Sequence, residues 1–446
     1  MSQTKITEQL MEVLEEKEEF DQMILAEGIT STFDSQKTGL NNNIIVLGAT
    51  GSGKSMSISE PQILHSDNNS LVVPMSKRKI ADVNANYLRS KGYQVELIDM
   101  TKPYLSTVGF DPLDYIIDET DIIAIAEQLV LTTKNRGVGR DPYWDDAAIS
   151  LICAEIAALT ESWDYARENG TCDSPEPTLG NLLELHRQLR FTESDRTGFT
   201  TSTLDKLFER LENRNPNSYA ARCFKSVKGL TSKTVSCILS TVDTAYSRVF
   251  TPNVCAIADR ACTFDPFMLG KKKSALFIIS SPVEKSSKYF ANMIYSTLIR
   301  FLFDLAENSK DYRLPVPVHM ICDDFACGAT IPNFADYISI IRSAGISVAL
   351  LIQSEAQLET LYGPADAMTI LNNCDRTVYF GGTDLTTCER IAKRANVPLE
   401  KVLNMPLGKS FVFQRGSEPV YTDRYHTKED PVWIMVNEAI NGPVME

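Results

Sequence analysis

Residues 41–57 read N-N-N-I-I-V-L-G-A-T-G-S-G-K-S-M-S. The apolar, β-branched run at 44–47 predicts a short buried strand. The residues that follow it fit the phosphate-loop pattern G-x-x-x-x-G-K-[ST] at every fixed position. Such a loop wraps its backbone amides around phosphate oxygens at the mouth of the next helix. The residues expected to bind the nucleotide are Gly48, Ala49, Thr50, Gly51, Ser52, Gly53, Lys54, Ser55 and Met56.

Two side chains of this loop carry its chemistry. Lys54 is expected to meet the β- and γ-phosphates, and the Ser55 hydroxyl is expected to ligate Mg²⁺. A glycine-rich turn could match the pattern by chance, but the strand in front and the helix-compatible residues 56–58 behind favour a phosphate loop. The sequence therefore predicts ATP and Mg²⁺ as cofactors.

Composition limits the class of protein. The chain has 446 residues, 43% of them hydrophobic and 23% charged, which is ordinary for a globular protein. Its net charge of −14 speaks against a generally basic nucleic-acid coat, although a basic channel inside an oligomer stays compatible with it. Ten cysteines without C-x-x-C pairs and four histidines form no zinc pattern. We expect a reducing compartment.

No apolar run reaches the roughly 20 residues that a membrane-spanning helix needs. The N-terminus is polar and acidic, unlike a secretory signal. The sequence thus predicts a cytoplasmic protein without a transmembrane segment of its own.

Strand and helix patterns alternate after the loop. Strands at 44–47, 71–73 and 94–98, separated by helical patterns, predict a mainly parallel, doubly wound α/β sheet. Pro61 is expected to end or kink the first helix. Later strands are expected at 275–280, 316–322, 346–352, 377–380, 409–414 and 419–421, the last two as an antiparallel edge pair.

The remaining segments suggest a domain plan. Residues 3–27 predict an amphipathic helix on the protein body or on a partner, and the region around 119–260 has mostly helical patterns. Its basic stretch, 222–248, is either a solvated helical face or a polyanion contact. The predicted units are an N-terminal helix and connector (1–40), a nucleotide-binding domain (41–118 and 261–425), an inserted all-α domain (119–260) and a C-terminal tail (426–446).

A second acidic element follows the strand at 316–322, which leads straight into Asp323 and Asp324. In phosphate-loop NTPases the first acid after such a strand orients Mg²⁺ or water opposite the serine hydroxyl, and Asp323 takes this position. Asp324 stands where RecA-like ATPases have a glutamate that activates the attacking water. Because aspartate reaches one methylene less far, either hydrolysis is weakened or a water bridges the gap.

Gln353 follows the strand at 346–352. Polar residues at the carboxyl end of a strand lie where open α/β sheets bind ligands, so Gln353 either senses the γ-phosphate or caps a turn.

The chain resembles the coupling proteins of type IV secretion systems, the TraG/TraD-type conjugative DNA-transfer ATPases. The likeness covers residues 40–415. It begins with G-A-T-G-S-G-K-S and continues through K-G-Y-Q-V-E-L-I-D, D-P-Y-W-D-D-A-A and T-F-D-P-F-M-L-G. Its most specific block runs from D-D-F-A through I-R-S-A-G-I-S-V-A-L-L-I-Q-S and L-Y-G to N-N-C-D-R-T-V-Y-F-G.

The resemblance implies a RecA-like motor domain of the FtsK/HerA class, assembled as a homo-hexameric ring with ATP between subunits. It implies that the inserted all-α domain faces the cytoplasm and meets a relaxase or other cargo. It also implies roles for single residues. Lys54 and Ser55 match the phosphate-loop pair, Asp323 and Asp324 match the acidic pair, Gln353 matches a conserved-motif glutamine, and Arg342 matches an arginine finger offered by a neighbouring subunit.

Three features depart from the family pattern. The family's N-terminal pair of membrane helices is replaced by a short acidic helix, so either a separate subunit supplies the anchor or the chain is a soluble relative. The family's D-P-K-G-E segment reads M-S-K-R-K at 75–79, with Met75 and Lys79 replacing both acids. The catalytic glutamate is replaced by Asp324.

Three functions follow as hypotheses. The first is an ATP-driven motor that recruits DNA, expected to be single-stranded, or a DNA–relaxase complex and translocates it to a conjugation channel. Its partners would be membrane-anchored channel subunits that recruit it to the inner face of the cell membrane, and it would be a hexamer, or a monomer without cargo. The alternatives are a nucleotide-binding cargo recruiter with weak or no hydrolysis and a soluble HerA-like DNA-processing ATPase.

Overall fold

The computed structural model describes residues 22–131, 142–171, 173–193, 200–323, 325, 331 and 333–441. The strands in these ranges, in chain order, are β1 Gln22–Ala26, β2 Ile29–Thr32, β3 Ile44–Leu47, β4 Ser70–Met75, β5 Gln94–Asp99, β6 Phe191–Glu193, β7 Thr200–Ser202, β8 Ser274–Ile279, β9 Val318–Cys322, β10 Ile346–Ile352, β11 Arg376–Tyr379, β12 Lys409–Gln414 and β13 Val420–Asp423.

The α-helices of the same ranges are α1 Ser35–Thr38, α2 Glu60–Leu64, α3 Arg78–Ser90, α4 Glu119–Leu131, α5 Tyr143–Glu168, α6 Leu179–Gln188, α7 Asp205–Arg214, α8 Tyr219–Lys225, α9 Ser232–Val249, α10 Pro252–Ala258, α11 Phe267–Lys271, α12 Lys285–Glu307, α13 Phe334–Ala344, α14 Glu355–Tyr362, α15 Pro364–Asn372, α16 Leu385–Ala395, α17 Leu399–Leu403 and α18 Pro431–Asn441. Among these residues, no helix is both long enough and apolar enough to cross a membrane.

The chain divides into two compact units. The first comprises residues 1–97, 265–282 and 298–446, and the second comprises residues 98–264 and 283–297. The second unit therefore begins earlier than the predicted boundary at 119 and includes a later segment of the chain. It contains the helices from α4 to α10, with the short hairpin β6–β7 among them.

The first unit is built on a nine-stranded sheet with the order β13-β12-β11-β3-β10-β9-β4-β8-β5. The pairs from β11 through β3, β10, β9 and β4 to β8 are parallel, and β12 and β13 add to the β11 edge as antiparallel strands. The predicted fold class, a mainly parallel α/β sheet with a separate helical part, is confirmed. The predicted antiparallel pair at the edge is also confirmed.

The central strands are apolar because the sheet is covered on both faces. All four residues of β3, all seven of β10 and all five of β9 are buried. Strands buried in this way read as continuous Val, Ile and Leu runs rather than alternating patterns. The sequence pattern therefore located them closely, and the bounds of β3, β10 and β12 are as predicted.

The predicted N-terminal helix over 3–27 is wrong at its C-terminal end, and residues 1–21 lie outside the described part. Residues Gln22–Ala26 and Ile29–Thr32 form an antiparallel hairpin instead. Four of the five residues of β1 are buried, and three of them, Met23, Leu25 and Ala26, pack into the same apolar cluster as Ile44 and Val46. Burial against the sheet thus outweighs the helical spacing of the sequence.

Pro61 does not end the helix that follows the phosphate loop. Residues Ser55–Ser59 form a π-helical turn, and α2 continues directly from it with Pro61 in its first turn. Proline has no N–H for the usual bond one turn back, and its ring crowds that carbonyl. The wider turn accommodates both constraints, so the helical path persists with a local change of pitch.

The predicted C-terminal tail, 426–446, is structured as far as it is described. It contains a short 3₁₀ turn, Thr427–Glu429, and α18, whose Val432 and Val436 are buried beside Leu64 and Tyr87. This segment belongs to the first unit.

Candidate functional site

The phosphate loop leaves β3 at the carboxyl edge of the sheet. The amide of Gly48 donates to the carbonyl of Ile352 at 3.2 Å, and that of Ala49 donates to the carbonyl of Gly381 at 2.9 Å. These bonds tie the start of the loop to the residues that end β10 and follow β11. The loop is therefore held by both strands that neighbour β3 in the sheet.

The shape of the loop depends on its glycines. Gly51 and Gly53 have φ of 79° and 92°, in the left-handed region that favours glycine. A Cβ on Gly53 would also lie 2.3 Å from a guanidinium nitrogen of Arg424. Gly53 is therefore required for its backbone conformation, and it also lies against the guanidinium of Arg424.

Lys54 lies inside the loop and is buried. Its Nζ donates to the carbonyl oxygens of Gly48 at 2.6 Å and Ala49 at 3.2 Å. The ammonium is thus placed within the curve of the backbone, where the sequence pattern expects the phosphates of a nucleotide.

Ser55 and Asp323 are brought together across 268 positions of sequence. The Ser55 hydroxyl lies 2.8 Å from each carboxylate oxygen of Asp323. A hydroxyl and a carboxylate at this distance are hard oxygen ligands of the kind that Mg²⁺ prefers. The pairing fits the predicted Mg²⁺ ligands, while their role as ligands remains a prediction.

Gln353 follows β10, which lies between the loop strand β3 and the Asp323 strand β9. Its backbone amide donates to the side chain of Gln357 at 2.9 Å, which fixes the first turn of α14. Because β3, β10 and β9 are parallel, their carboxyl ends meet at one edge. Lys54, Asp323 and Gln353 therefore share the edge where open α/β sheets bind ligands.

Two predicted residues are not part of this cluster as described. Asp324 lies outside the described residues, and its role stays a prediction. Arg342 is exposed in the last turn of α13, and its Nη2 donates to the carbonyl of Gly39 at 2.9 Å. Arg342 precedes β10 and Gly39 precedes β3. Arg342 therefore lies at the amino edge of the sheet, opposite the phosphate loop.

A C-terminal segment, residues 424–433, contacts the phosphate loop and the helix after it; we call it the C-terminal strap. The guanidinium of Arg424 donates to the carbonyl of Ser52 at 2.9 Å. Thr427 donates its hydroxyl proton to the carbonyl of Met56. No sequence pattern marks these residues, because their contacts depend on folding of segments about 370 positions apart.

The strap also reaches a carboxyl group near Asp323. The indole N–H of Trp433 donates to Glu60 at 2.8 Å. Burial raises the pKa of Glu60 above its ordinary value; the bond from Trp433 lowers it, and the charge of Asp323 raises it further. Glu60, which the sequence did not single out, therefore adds a second acidic group to this region.

A buried contact between a histidine and a carboxylate anchors the strap to the end of α2. His65 Nε2 lies 2.6 Å from Asp430 Oδ2, and the Tyr425 hydroxyl donates to the same oxygen at 2.7 Å. Burial opposes ionisation of Asp430, but the hydrogen bonds and charge of His65, with the bond from Tyr425, keep its pKa below the ordinary value. The strap is thereby fixed beside the loop by a charged contact.

The basic stretch 222–248 of the second unit is largely neutralised by its neighbours. Three of its cations form exposed ion pairs with glutamates of nearby helices. Such pairs are typical of a solvated helical face. The pairs are Arg222–Glu119 at 3.2 Å, Lys225–Glu212 at 2.5 Å and Lys228–Glu209 at 3.2 Å.

Several solved structures share this fold. The bacterial conjugative coupling protein TrwBdeltaN70, in a trigonal form with sulphate, is 16% identical, with a TM-score of 0.65 over 95% of this chain and 92% of that chain. The plasmid coupling protein TrwB in complex with ADP and Mg²⁺ is 16% identical, with a TM-score of 0.66 over the same shares. TrwB with the non-hydrolysable ATP analogue ADPNP is 17% identical, with a TM-score of 0.64, again over 95% and 92%.

Sequence comparison identifies the family. No curated protein matches the chain at a significant level. A sequence model of the family described as "Type IV secretory system Conjugative DNA transfer" matches residues 5–396, most of the chain. The match includes the phosphate loop, Asp323 and the strands that carry them. The chain therefore belongs to the conjugative DNA transfer family of type IV secretory systems.

Proposed function

We propose that the chain is an ATPase that recruits DNA, or a DNA–relaxase complex, and translocates it to a type IV secretion channel. The observation that carries the proposal is the 2.8 Å pairing of Ser55 with Asp323 beside the phosphate-loop Lys54. Family membership supports DNA transfer as the process that the ATPase serves.

ATP and Mg²⁺ are the cofactors that these residues fit. The loop amides and Lys54 would hold the phosphates, and Ser55 and Asp323 would hold the cation. When bound, Mg²⁺ would neutralise charge on the phosphates. The TrwB structures described with ADP and Mg²⁺ and with ADPNP support this choice of cofactors.

Hydrolysis would depend on assembly. In this proposal Asp324 activates the attacking water, Gln353 reports the γ-phosphate, and Arg342 enters the site of a neighbouring copy. Arg342 lies at the opposite sheet edge from Lys54, so within one subunit it cannot serve the same nucleotide. A head-to-tail ring, for which we propose a homo-hexamer, would place it beside the next subunit's nucleotide.

The location and partners of the protein follow from this role. We propose a cytoplasmic protein that membrane-anchored channel subunits recruit to the inner face of the membrane. The mainly helical region predicted as the inserted domain, 119–260, would meet the cargo.

The test measures ATP turnover against protein concentration, with and without single-stranded and double-stranded DNA. We expect turnover to rise steeply with concentration and again with DNA, and Lys54→Ala to abolish it while the circular dichroism spectrum stays unchanged. Turnover retained by Lys54→Ala would refute the assigned site. Turnover near zero in the wild type, restored by Asp324→Glu, would instead support a nucleotide-binding recruiter.

A further inference from the structure

A narrow, partly open cavity lies at the amino edge of the sheet in the first unit. It is a small cleft, and part of it is open to solvent. Arg313 and Arg342 both line it, together with the buried Asn42 and Asn69. Its other lining residues are Phe33, Ser35, Pro317, Val318, Gly345, Ile346 and Ser347.

The lining is positive. It contains two guanidinium groups and no carboxylate. Arg313 donates through Nη2 to the Ser35 hydroxyl at 3.0 Å, and Arg342 donates to the carbonyl of Gly39 at 2.9 Å. Neither has a salt bridge within 4 Å among the described residues. Since a guanidinium carries five N–H donors, each retains donors for a further acceptor.

The position of Arg313 is constrained by its neighbour Gly345. A Cβ on Gly345 would lie 3.3 Å from both Cγ and Nε of Arg313, and Gly345 has φ of 84°. The side chain of Arg313 therefore packs directly on the backbone between α13 and β10. Its place in the lining of the cavity is thus fixed by packing as well as by its hydrogen bond to Ser35.

Buried amide groups add a second, independent observation. Asn69 is 2% exposed, and within the described part of the chain neither polar atom of its side chain has a hydrogen-bond partner. Among the same residues the side-chain oxygen of Asn42 is also buried without a partner, but as an acceptor it suits an ordered water rather than a phosphate oxygen. Polar atoms buried in this way are costly unless a ligand or ordered water satisfies them. The amide N–H₂ of Asn69 would supply such a ligand with further donors.

We propose that this cavity is a second phosphate-binding site, distinct from the phosphate loop, in which Arg313 and Asn69 act together with Arg342. Paired guanidinium groups beside an amide donor match the oxygens of a phosphate group, and the lack of carboxylates excludes a cation. The phosphate can come from two sources. It is either free inorganic phosphate or the terminal phosphate of a nucleotide bound to a second copy of the chain; only the latter rests on the proposed function.

The first experiment titrates inorganic phosphate by calorimetry into the Lys54→Ala variant, in which the phosphate loop is disabled. Binding of one phosphate per chain is expected if the source is free phosphate. Adding Arg313→Gln should then weaken the affinity by about tenfold or more, and Arg313→Lys, which keeps the charge without the planar fork of donors, should restore only part of it. Arg89→Gln, an exposed arginine change on α3, is the control and should have no effect. Thermal unfolding verifies that each variant is folded.

The second experiment tests the neighbouring copy as the source. Arg313→Gln and Lys54→Ala chains are assayed for ATP turnover separately and as an equal mixture at concentrations where the wild type assembles. Each alone should be inactive or strongly impaired. The mixture should recover roughly a quarter of wild-type turnover. In a ring of randomly ordered chains, about one interface in four joins the intact phosphate loop of an Arg313→Gln chain to the intact Arg313 of a Lys54→Ala chain.

Either positive result supports the site and identifies its source. The proposal is overturned if both experiments fail. In the first, Lys54→Ala binds no phosphate. In the second, either Arg313→Gln hydrolyses ATP at the wild-type rate or the mixture shows no recovery. If the wild type itself shows no turnover, the proposed function fails, and the calorimetric titration alone decides whether the phosphate site exists.

Discussion

At the residue scale, the chemistry of the phosphate loop depends on contacts made by its backbone. Ser52, whose side chain the sequence pattern leaves variable, uses its carbonyl to accept a bond from Arg424. The same guanidinium occupies the space where a Cβ of Gly53 would stand. The phosphate loop therefore contacts a segment from the C-terminal part of the chain through its backbone at Ser52 and Gly53.

Replacing Arg424 should weaken nucleotide binding. Arg424→Ala removes a charge-assisted bond that holds the loop, and such a bond contributes about 1.5–3 kcal/mol, so we expect affinity to fall by about tenfold. Titration of a fluorescent ATP analogue measures this change. Lys428→Ala, an exposed cation of the same strap, is the matched control. Equal affinity of Arg424→Ala and wild type would show that the loop is held without the strap.

At the scale of secondary-structure elements, a polar network with a buried histidine and glutamate and an exposed aspartate joins three helices of the second unit. His186 on α6 lies 2.7 Å from Glu155 on α5 through Nδ1 and 3.2 Å from Asp243 on α9 through Nε2. The Tyr246 hydroxyl donates to the other oxygen of Glu155 at 2.8 Å. Burial lowers the pKa of His186, but the bonds and charges of Glu155 and Asp243 outweigh it and raise the pKa above its ordinary value.

This network makes stability depend on pH. Because the pKa of His186 is raised by folding, its contribution is complete below the unfolded value of 6.5 and is lost as the pH rises through the folded value. We expect His186→Gln to lower the free energy of unfolding by about 3 kcal/mol at pH 5.5. The loss should be smaller at pH 8.5. NMR titration should give a pKa for the His186 imidazole above the ordinary histidine value. The signal of this ring is identified by its absence from the spectrum of the variant. An equal loss of stability at both pH values would contradict the charged network.

Elements also differ in how well local patterns predicted them. The strands of the large sheet were predicted because each is a buried run of β-branched residues, and burial on both faces leaves a clear signal. The hairpin at Gln22–Thr32 was missed because glutamates and helically spaced apolar residues precede it, while its own burial comes from contact with β3 and its neighbours. Local spacing cannot report such a contact.

At the scale of the whole molecule, the strand order separates the predicted site residues into two groups. The order β3-β10-β9 brings Ser55 to Asp323 at the carboxyl edge, and the same parallel strands place Arg342 at the amino edge. A residue at the amino edge can act on a nucleotide only through another copy of the chain. The topology is therefore the reason to expect hydrolysis to depend on assembly.

Arg342→Ala should leave the monomer unchanged and reduce turnover only in the assembled state. An arginine supplied by a neighbour stabilises charge in phosphoryl transfer by about 10³-fold or more in rate, which sets the expected loss. Turnover measured beside sedimentation velocity across a concentration series separates the two states. A difference between the variant and wild type at concentrations where both are monomeric would show that Arg342 is not acting from a neighbour.

The sequence by itself determined the phosphate loop, the acid after the strand at 316–322, the mainly parallel α/β class and the family. Short, contiguous sequence patterns indicate these features, because the conformation of a loop or a buried strand depends chiefly on neighbouring residues. Only the tertiary structure decided which distant groups meet: Arg424 with Ser52, Trp433 with Glu60, and Arg313 with Arg342 around one cavity. Such contacts follow from strand order and packing, which involve segments hundreds of residues apart and leave no local pattern.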